Sequence, residues 1–222
     1  MKSPQIIILL GKSGSGKGTQ ADFLRKKFKN YEYIESGRLL RNKAKDKDYM
    51  GKKIAQIMLE GALIPAPVIS TLWLAEAARI KEKSKNMKGL IMDGNPRRLI
   101  EAQMIDEAFK FFDWDKNVKV ILVDISDKEA VWRLTKRRMC KECRELIPYV
   151  GEFKKMRKCP KCGGELIRRS DDTVSSAKNR LKWFHTDVQP IVNYYKRTGR
   201  LVKVDGEKSI EDVFKDVLKV LK

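Results

Sequence analysis

Long apolar stretches are absent from this 222-residue chain. No run approaches the eighteen or so residues needed to cross a bilayer, and the N-terminus lacks the charged-then-apolar order of a secretory signal. Membrane-spanning and exported classes are set aside, and a cytoplasmic protein is expected. Histidine is almost missing: the single one, His185, falls mid-helix with no cysteine near it in sequence, and reads as an ordinary helix residue. There is no internal repeat and no low-complexity tract. Acidic residues are in short supply, with 29 Asp and Glu against 49 Lys and Arg, a formal net charge of +20. Such a charge suits nucleic acid, anionic lipid or small phosphorylated substrates. The basic residues are spread along the chain (Arg25, Lys26, Lys27; Lys81, Lys83, Lys85; Lys154, Lys155, Arg157, Lys158) rather than gathered in a tail, so most read as solvated faces. The length fits one sizeable α/β domain with an inserted subdomain and is too short for two full domains. No exposed apolar stripe announces a partner, and a monomer is expected.

What is present begins with a strand-like run, Gln5-Ile6-Ile7-Ile8-Leu9-Leu10. It feeds directly into Gly11-Lys12-Ser13-Gly14-Ser15-Gly16-Lys17-Gly18-Thr19-Gln20, a glycine-rich loop that opens a helix. Glycines let backbone N–H groups point inward, the helix N-terminus adds positive partial charge, and Lys17 can reach the outer phosphates of a nucleotide. The chain is therefore expected to bind a nucleoside triphosphate. The spacing fits the P-loop pattern, although Gly18 stands where the general motif has Ser or Thr and the hydroxyl is displaced to Thr19.

Further β-branched, apolar segments at Tyr33–Ile34, Leu90–Met92, Val118–Val123 and Leu201–Val204 alternate with helical periods at Thr19–Phe28, Gly37–Lys45, Tyr49–Leu59, Pro67–Lys83, Ile100–Phe111, Asp127–Arg138, Asp171–Tyr195 and Ser209–Leu221. This alternation predicts a parallel sheet flanked by helices. Residues from about Met139 to Ser170 break the pattern and hold all four cysteines, as Cys140-x2-Cys143 and Cys159-x2-Cys162 with fifteen residues between the pairs. Two such knuckles can close a tetrahedral shell of thiolates around zinc, leaving no open position, so the ion would hold a fold and perform no chemistry. Disulfides are the weaker reading in a chain without a secretory signal.

Five blocks in one order carry a resemblance: Gly16-Lys17-Gly18-Thr19-Gln20; Ser36-Gly37-Arg38-Leu39-Leu40-Arg41; Gly61-Ala62-Leu63-Ile64-Pro65; Asp93-Gly94-Asn95-Pro96-Arg97; and Arg133 to Arg138, through the cysteine segment, to Arg169-Ser170-Asp171-Asp172 and Arg180. The chain resembles, essentially end to end, the adenylate kinases of the nucleoside monophosphate kinase family, in the long form with a four-cysteine zinc-binding lid. The resemblance implies a P-loop kinase core with a five-stranded parallel sheet (residues 1–35, 66–137 and 171–222), a helical acceptor-binding segment (36–65) and a zinc-ribbon-like lid (138–170). It implies reversible phosphoryl transfer, ATP and AMP to two ADP, with Mg²⁺ accompanying ATP and a structural Zn²⁺. Gly14, Ser15, Gly16, Lys17, Gly18, Thr19, Arg133, Arg137 and Lys208 would then bind ATP. Ser36, Gly37, Arg41, Ala62, Leu63, Ile64, Gly94, Arg97, Glu101, Arg169 and Arg180 would bind AMP, and Asp93 would order Mg²⁺ through water. Joining two polyanions is mostly in-line positioning and charge neutralisation, so Lys17, Arg97, Arg137, Arg169 and Arg180 are the expected catalytic set. Guanidinium forks match phosphate oxygens better than ammonium does.

Other residues take plainer readings. Asp171 and Asp172 suit N-capping and pairing to Arg169 or Arg138 rather than acid–base work. Trp73, Trp114, Trp132 and Trp183 read as packing residues. Several positions depart from the family, among them Pro65-Ala66-Pro67 in place of a more acidic stretch and Lys136 in place of a common glycine. Glu101 stands where a glutamine commonly reads adenine, and an ionised carboxylate only accepts hydrogen bonds, which makes GMP the first alternative acceptor. Asn95 replaces an aromatic residue near the same pocket. An alternative of another class is an ATP-regulated zinc-ribbon protein that binds nucleic acid, but no aromatic-interleaved basic strand or recognition motif supports it.

Overall fold

A computed structural model describes residues 3–84, 87–169 and 172–221. Lys85, Ser170 and Asp171 lie outside the described residues. Five parallel strands form one sheet in the order β2-β3-β1-β4-β8, with β1 at Gln5–Leu10, β2 at Tyr31–Glu35, β3 at Gly89–Asp93, β4 at Val118–Asp124 and β8 at Leu201–Asp205. The expected parallel sheet is there, with β2 starting two residues earlier than its apolar pair Tyr33–Ile34 suggested.

The side-chain period of two explains why β1 is almost wholly apolar. Ile6, Ile8 and Leu10 face a cluster built with α4 (Ala66–Lys83), α5 (Leu99–Phe111) and α8 (Gln189–Arg197), whereas Ile7 and Leu9 face α1 (Lys17–Lys27) and α9 (Ile210–Leu221). Both sides of the strand are buried, so neither can be polar. Trp73 and Trp114 belong to the first cluster, 1% and 2% exposed. Two helices begin where a side chain satisfies free N–H groups: Asp48 accepts from Gly51 N at 2.7 Å to start α3 (Tyr49–Leu59), and Ser126 accepts from Glu129 N at 3.3 Å to start α6 (Asp127–Lys136).

The cysteine segment has elements of its own. Three short antiparallel strands, β5 (Arg138–Cys140), β6 (Leu146–Ile147) and β7 (Leu166–Ile167), pair in the order β6-β5-β7. Arg138 therefore ends no helix; it opens the lid sheet and donates to the carbonyls of Phe153 and Met156. Trp132 on α6 packs edge-on against Tyr149, at 6.0 Å between ring centroids, tying the lid to its stem.

The long helix expected from Asp171 to Tyr195 is divided. It starts as α7 (Val174–Trp183), capped by Thr173, whose Oγ1 accepts from Ser176 N at 3.1 Å. It then widens into a π-helical segment at Phe184–Val188 before α8, where Pro190 falls in the first turn. Apolar spacing cannot distinguish a π turn from an α turn, since the widening shifts the register by one residue. Asp172 is thus not the cap; it pairs with Arg137 and Arg180.

Candidate functional site

The P-loop follows β1 at the carboxyl end of the sheet, where β3 and β4 flank it, the crevice in which open α/β sheets bind ligands. Gly11 is required there: a Cβ would lie 2.3 Å from the Val123 carbonyl. Gly16, with φ of 93°, caps α1 in the left-handed region that glycine adopts without strain. The Lys17 ammonium donates to the carbonyls of Gly11 at 2.7 Å and Lys12 at 2.9 Å. Burial pushes its pKa down to about 8, with Asp93 acting in the opposite direction and Arg97 and Arg137 in the same one.

A cavity of about 310 Å³ opens beside the loop. Lys17, Arg41, Arg97, Arg137, Arg169 and Arg180 reach its wall from the P-loop, α2 (Ser36–Lys43), the turn after β3, the end of α6, the lid's return and α7. Six cations from distant parts of the chain share one concavity. Some hold internal anions. Arg137 donates to both carboxylate oxygens of Asp172, at 2.5 and 2.7 Å, and Arg180 donates to Asp172 Oδ1 at 3.1 Å, with Asp172 nearly buried. Arg41 pairs with Glu35 at 2.6 Å. Arg97 Nε donates to the Gly94 carbonyl at 3.0 Å.

Ser36, Gly37, Ala62, Leu63, Ile64, Gly94 and Glu101 line the same cavity, joined by Leu40, Met58, Ile69 and Val188 as an apolar wall. Glu101 is 2% exposed, and its Oε2 accepts the Arg97 backbone N–H at 2.8 Å. Desolvation raises its pKa, against the Arg97 N–H and the Arg97 and Arg98 charges. Asn95 also lines the cavity, and its Nδ2 is buried without a hydrogen-bond partner. An amide so placed awaits an acceptor.

Arg133 and Lys208 stand apart from this wall. Arg133 donates to Glu129 Oε1 at 2.7 Å and to the Gly206 carbonyl at 2.9 Å, and Lys208 pairs with Asp216 at 2.8 Å. Gly14, Ser15, Gly18 and Thr19 belong to the loop and the first turn of α1 but do not line this cavity, and Ser15 Oγ is buried without a partner among the described residues. Asp93 ends β3, and a Cβ on Gly18 would meet its Oδ2 at 3.7 Å. Tyr33 donates to that carboxylate at 3.4 Å, and burial raises the Asp93 pKa against the pull of Lys17. A carboxylate with one long hydrogen bond beside a phosphate loop suits a hydrated Mg²⁺.

In the lid, the four Sγ atoms of Cys140, Cys143, Cys159 and Cys162 lie within 4.8 Å of one another and form no disulfide. The closest pairs, Cys140 with Cys162 at 3.4 Å and Cys143 with Cys159 at 3.6 Å, approach the roughly 3.8 Å edge of a tetrahedron with Zn–S bonds of about 2.3 Å. Backbone N–H groups of Cys143 and Lys161 donate to Cys140 and Cys159 sulfur, as thiolate knuckles require. The donor set fits zinc.

Sequence reasoning missed Lys12. Its ammonium, 8% exposed, donates to the Ile125 carbonyl, lies 3.0 Å from Asp127 Oδ1 and sits 5.4 Å from the centre of the Phe184 ring. Asp127 in turn meets His185 Nε2 at 2.9 Å, a half-exposed contact between the start of α6 and the π segment. The chain Lys12–Asp127–His185 joins the P-loop, the start of α6 and the π segment. No local signal marks it, because its three members are far apart in sequence. Trp183, expected as a packing residue, lines the cavity beside Phe184.

Residues 9–200 match the family model described as adenylate kinase. The chain is 35% identical over 218 residues to the adenylate kinase of Caldicellulosiruptor bescii, covering 97% of this chain and 98% of that one. It is 34% identical to the adenylate kinase of Archaeoglobus fulgidus, with 97% of each covered, and 33% identical to that of Chlamydia muridarum, with 99% and 88% covered. No described helix is long and apolar enough to cross a membrane.

Proposed function

Because this chain belongs to the adenylate kinase family, a family of phosphotransferases, we propose that its single cationic cavity brings ATP and AMP together and passes the γ-phosphoryl group between them. The observation that carries the residue assignments is the convergence of Lys17, Arg41, Arg97, Arg137, Arg169 and Arg180 on one wall. In the forward direction an oxygen of the AMP phosphate bonds to the γ-phosphorus as the bond to the β–γ bridging oxygen breaks, giving two ADP. Little covalent work falls to the protein; charge on the transferring oxygens must be held in line and neutralised.

Loop amides and Lys17 take the β and γ phosphates, while Arg41 and Arg97 take the acceptor phosphate. Arg137, Arg169 and Arg180 close from the lid stems and exclude water. Arg137 and Arg180 reach substrate by exchanging Asp172 for phosphate, and Lys17 by leaving the Gly11 and Lys12 carbonyls. Asp93 would hold Mg²⁺ through water, and the ion would supply neutralisation of charge on the donor phosphates. Zn²⁺ in the four-cysteine site would hold the lid's fold. Arg133 and Lys208 would sit at the donor base, outside the phosphate cage. The lid, acceptor segment and core divide at about residues 36–65 and 138–170. The reading takes the protein as a monomer acting in the cytoplasm on small nucleotides, with no nucleic-acid partner.

The test is product formation from Mg·ATP with AMP, GMP, CMP and UMP in parallel, followed by chromatography. ADP formed fastest from AMP is the expected result. Silence with all four acceptors would overturn the reading.

A further inference from the structure

Among the described residues, Glu101 is the only acidic side chain on the cavity wall. It is 98% buried and held by one hydrogen bond, from the Arg97 N–H to Oε2. Helix capping accounts for that bond but not for placing a carboxyl group on the wall of a nucleotide cavity. Resting on the reading that this cavity takes AMP, we propose that Glu101 reads adenine as a neutral carboxylic acid, donating its Oε1–H to N1 and accepting from the N6 amino group, so that AMP binding takes up a proton.

The argument is one of matching edges. Adenine offers an acceptor, N1, next to a donor, the N6 amino group. An ionised carboxylate offers acceptors only, so it would keep the N6 contact but face the N1 lone pair across a buried gap and leave N1 unsatisfied. A carboxyl group carrying one proton offers a donor and an acceptor side by side, as a carboxamide does. Oε2 has two lone pairs, one for the Arg97 N–H and one for N6.

The charged groups around it set how readily the proton is held. Arg97 and Arg98, from its own end of α5, favour the ionised form; Asp187, from the π segment, favours the neutral one, as does burial itself. Arg41 from α2 and Arg180 from α7 line the same cavity. An arriving AMP phosphate neutralises Arg41 and Arg97 while the base expels water, and both changes favour protonation. Guanine has the opposite requirement, because its N1–H and N2–H₂ are adjacent donors suited to the ionised carboxylate. Acceptor choice is therefore linked to pH: AMP at the lower end, with GMP gaining as pH rises.

The test measures AMP and GMP binding calorimetrically between pH 6 and 9, in buffers of different ionisation enthalpy, for the wild type and Glu101→Gln. Glutamine keeps the cap to Arg97 and supplies the donor without a proton, and titration of the AMP phosphate is common to both proteins. The expected result is proton uptake on AMP binding that exceeds the variant's by up to one proton, with no such excess for GMP. Wild-type kcat/KM for AMP should then fall relative to the variant by up to tenfold per pH unit on the alkaline side. Equal proton uptake and parallel pH profiles in the two proteins would overturn the proposal while leaving the kinase reading intact. Failure of both proteins to bind AMP at any pH would overturn both.

Discussion

Replacing Lys12 by methionine should loosen the P-loop from its support without unfolding the core. Methionine keeps most of the stem's length and packs against the Phe184 ring, so the change removes chiefly the charge. Breaking a fully buried ion pair costs roughly 3–5 kcal/mol, but that figure must be discounted here. Asp127 is half exposed and retains His185 at 2.9 Å, and Asp124 retains Lys203 at 2.6 Å, so neither carboxylate is left stranded. The Ile125 carbonyl loses a charge-assisted hydrogen bond of roughly 1.5–3 kcal/mol and is partly resolvated. A net loss of about 2 kcal/mol follows, which for a chain of this size lowers Tm by roughly 4–8 °C. Lys12 is adjacent to Gly11 and its carbonyl accepts from Lys17, so KM for ATP should rise several-fold while KM for AMP changes little. Scanning calorimetry and initial rates with each substrate varied in turn would measure both. A melting temperature within about 1 °C of the wild type, with both KM values unmoved, would refute the reasoning.

Three other outcomes are expected. Arg97→Ala should reduce turnover by orders of magnitude with little change in melting, as for a group acting on transferring phosphate; near-normal initial rates would remove Arg97 from the set. Chelating the lid metal should melt the cysteine segment before the core, seen as early hydrogen exchange at β5–β7 with the main sheet still protected, since three strands of two or three residues have little apolar burial to hold them. Unchanged exchange after complete metal removal would refute it. Lys17, with its pKa pushed down to about 8, is an ammonium below that pH and neutral above it in the free protein. Accordingly kcat/KM for ATP should fall as pH rises past about 8, while kcat, which reports the bound state where phosphate holds the proton on, stays level to higher pH. A flat kcat/KM profile to pH 9.5 would contradict this.

The core was legible because each element carries its own period. β1 is apolar on both faces and announces a buried parallel strand, and the loop after it can be read from glycine spacing alone. The cysteine pairs were legible for the same reason, their spacing being local. Where the reading failed, the determinants were non-local or below the resolution of periodicity. The π turn at Phe184–Val188 shifts the helix register by one residue, and apolar spacing of three and four does not mark where the shift falls. Sequence suggests a cap and an arginine partner in Arg169 or Arg138 for Asp172, yet it binds Arg137, thirty-five residues away, because the cysteine segment brings its two ends together. Lys12 carried no reading beyond its place in the loop, and only the fold places Asp127 beside it, with His185 beyond Asp127.

The partners that the cavity's cations hold at rest set a threshold on what may enter. Asp172 occupies Arg137 and Arg180, Glu35 occupies Arg41, and two loop carbonyls occupy Lys17. A small monovalent anion can displace only one of these at a time and gains little by the exchange. A chain of phosphates displaces several together, and each release makes the next cation available. On the proposed reading the site would select by valence before it selects by base. A protein carrying +20 could in this way keep its cavity clear of the ordinary anions that its surface attracts.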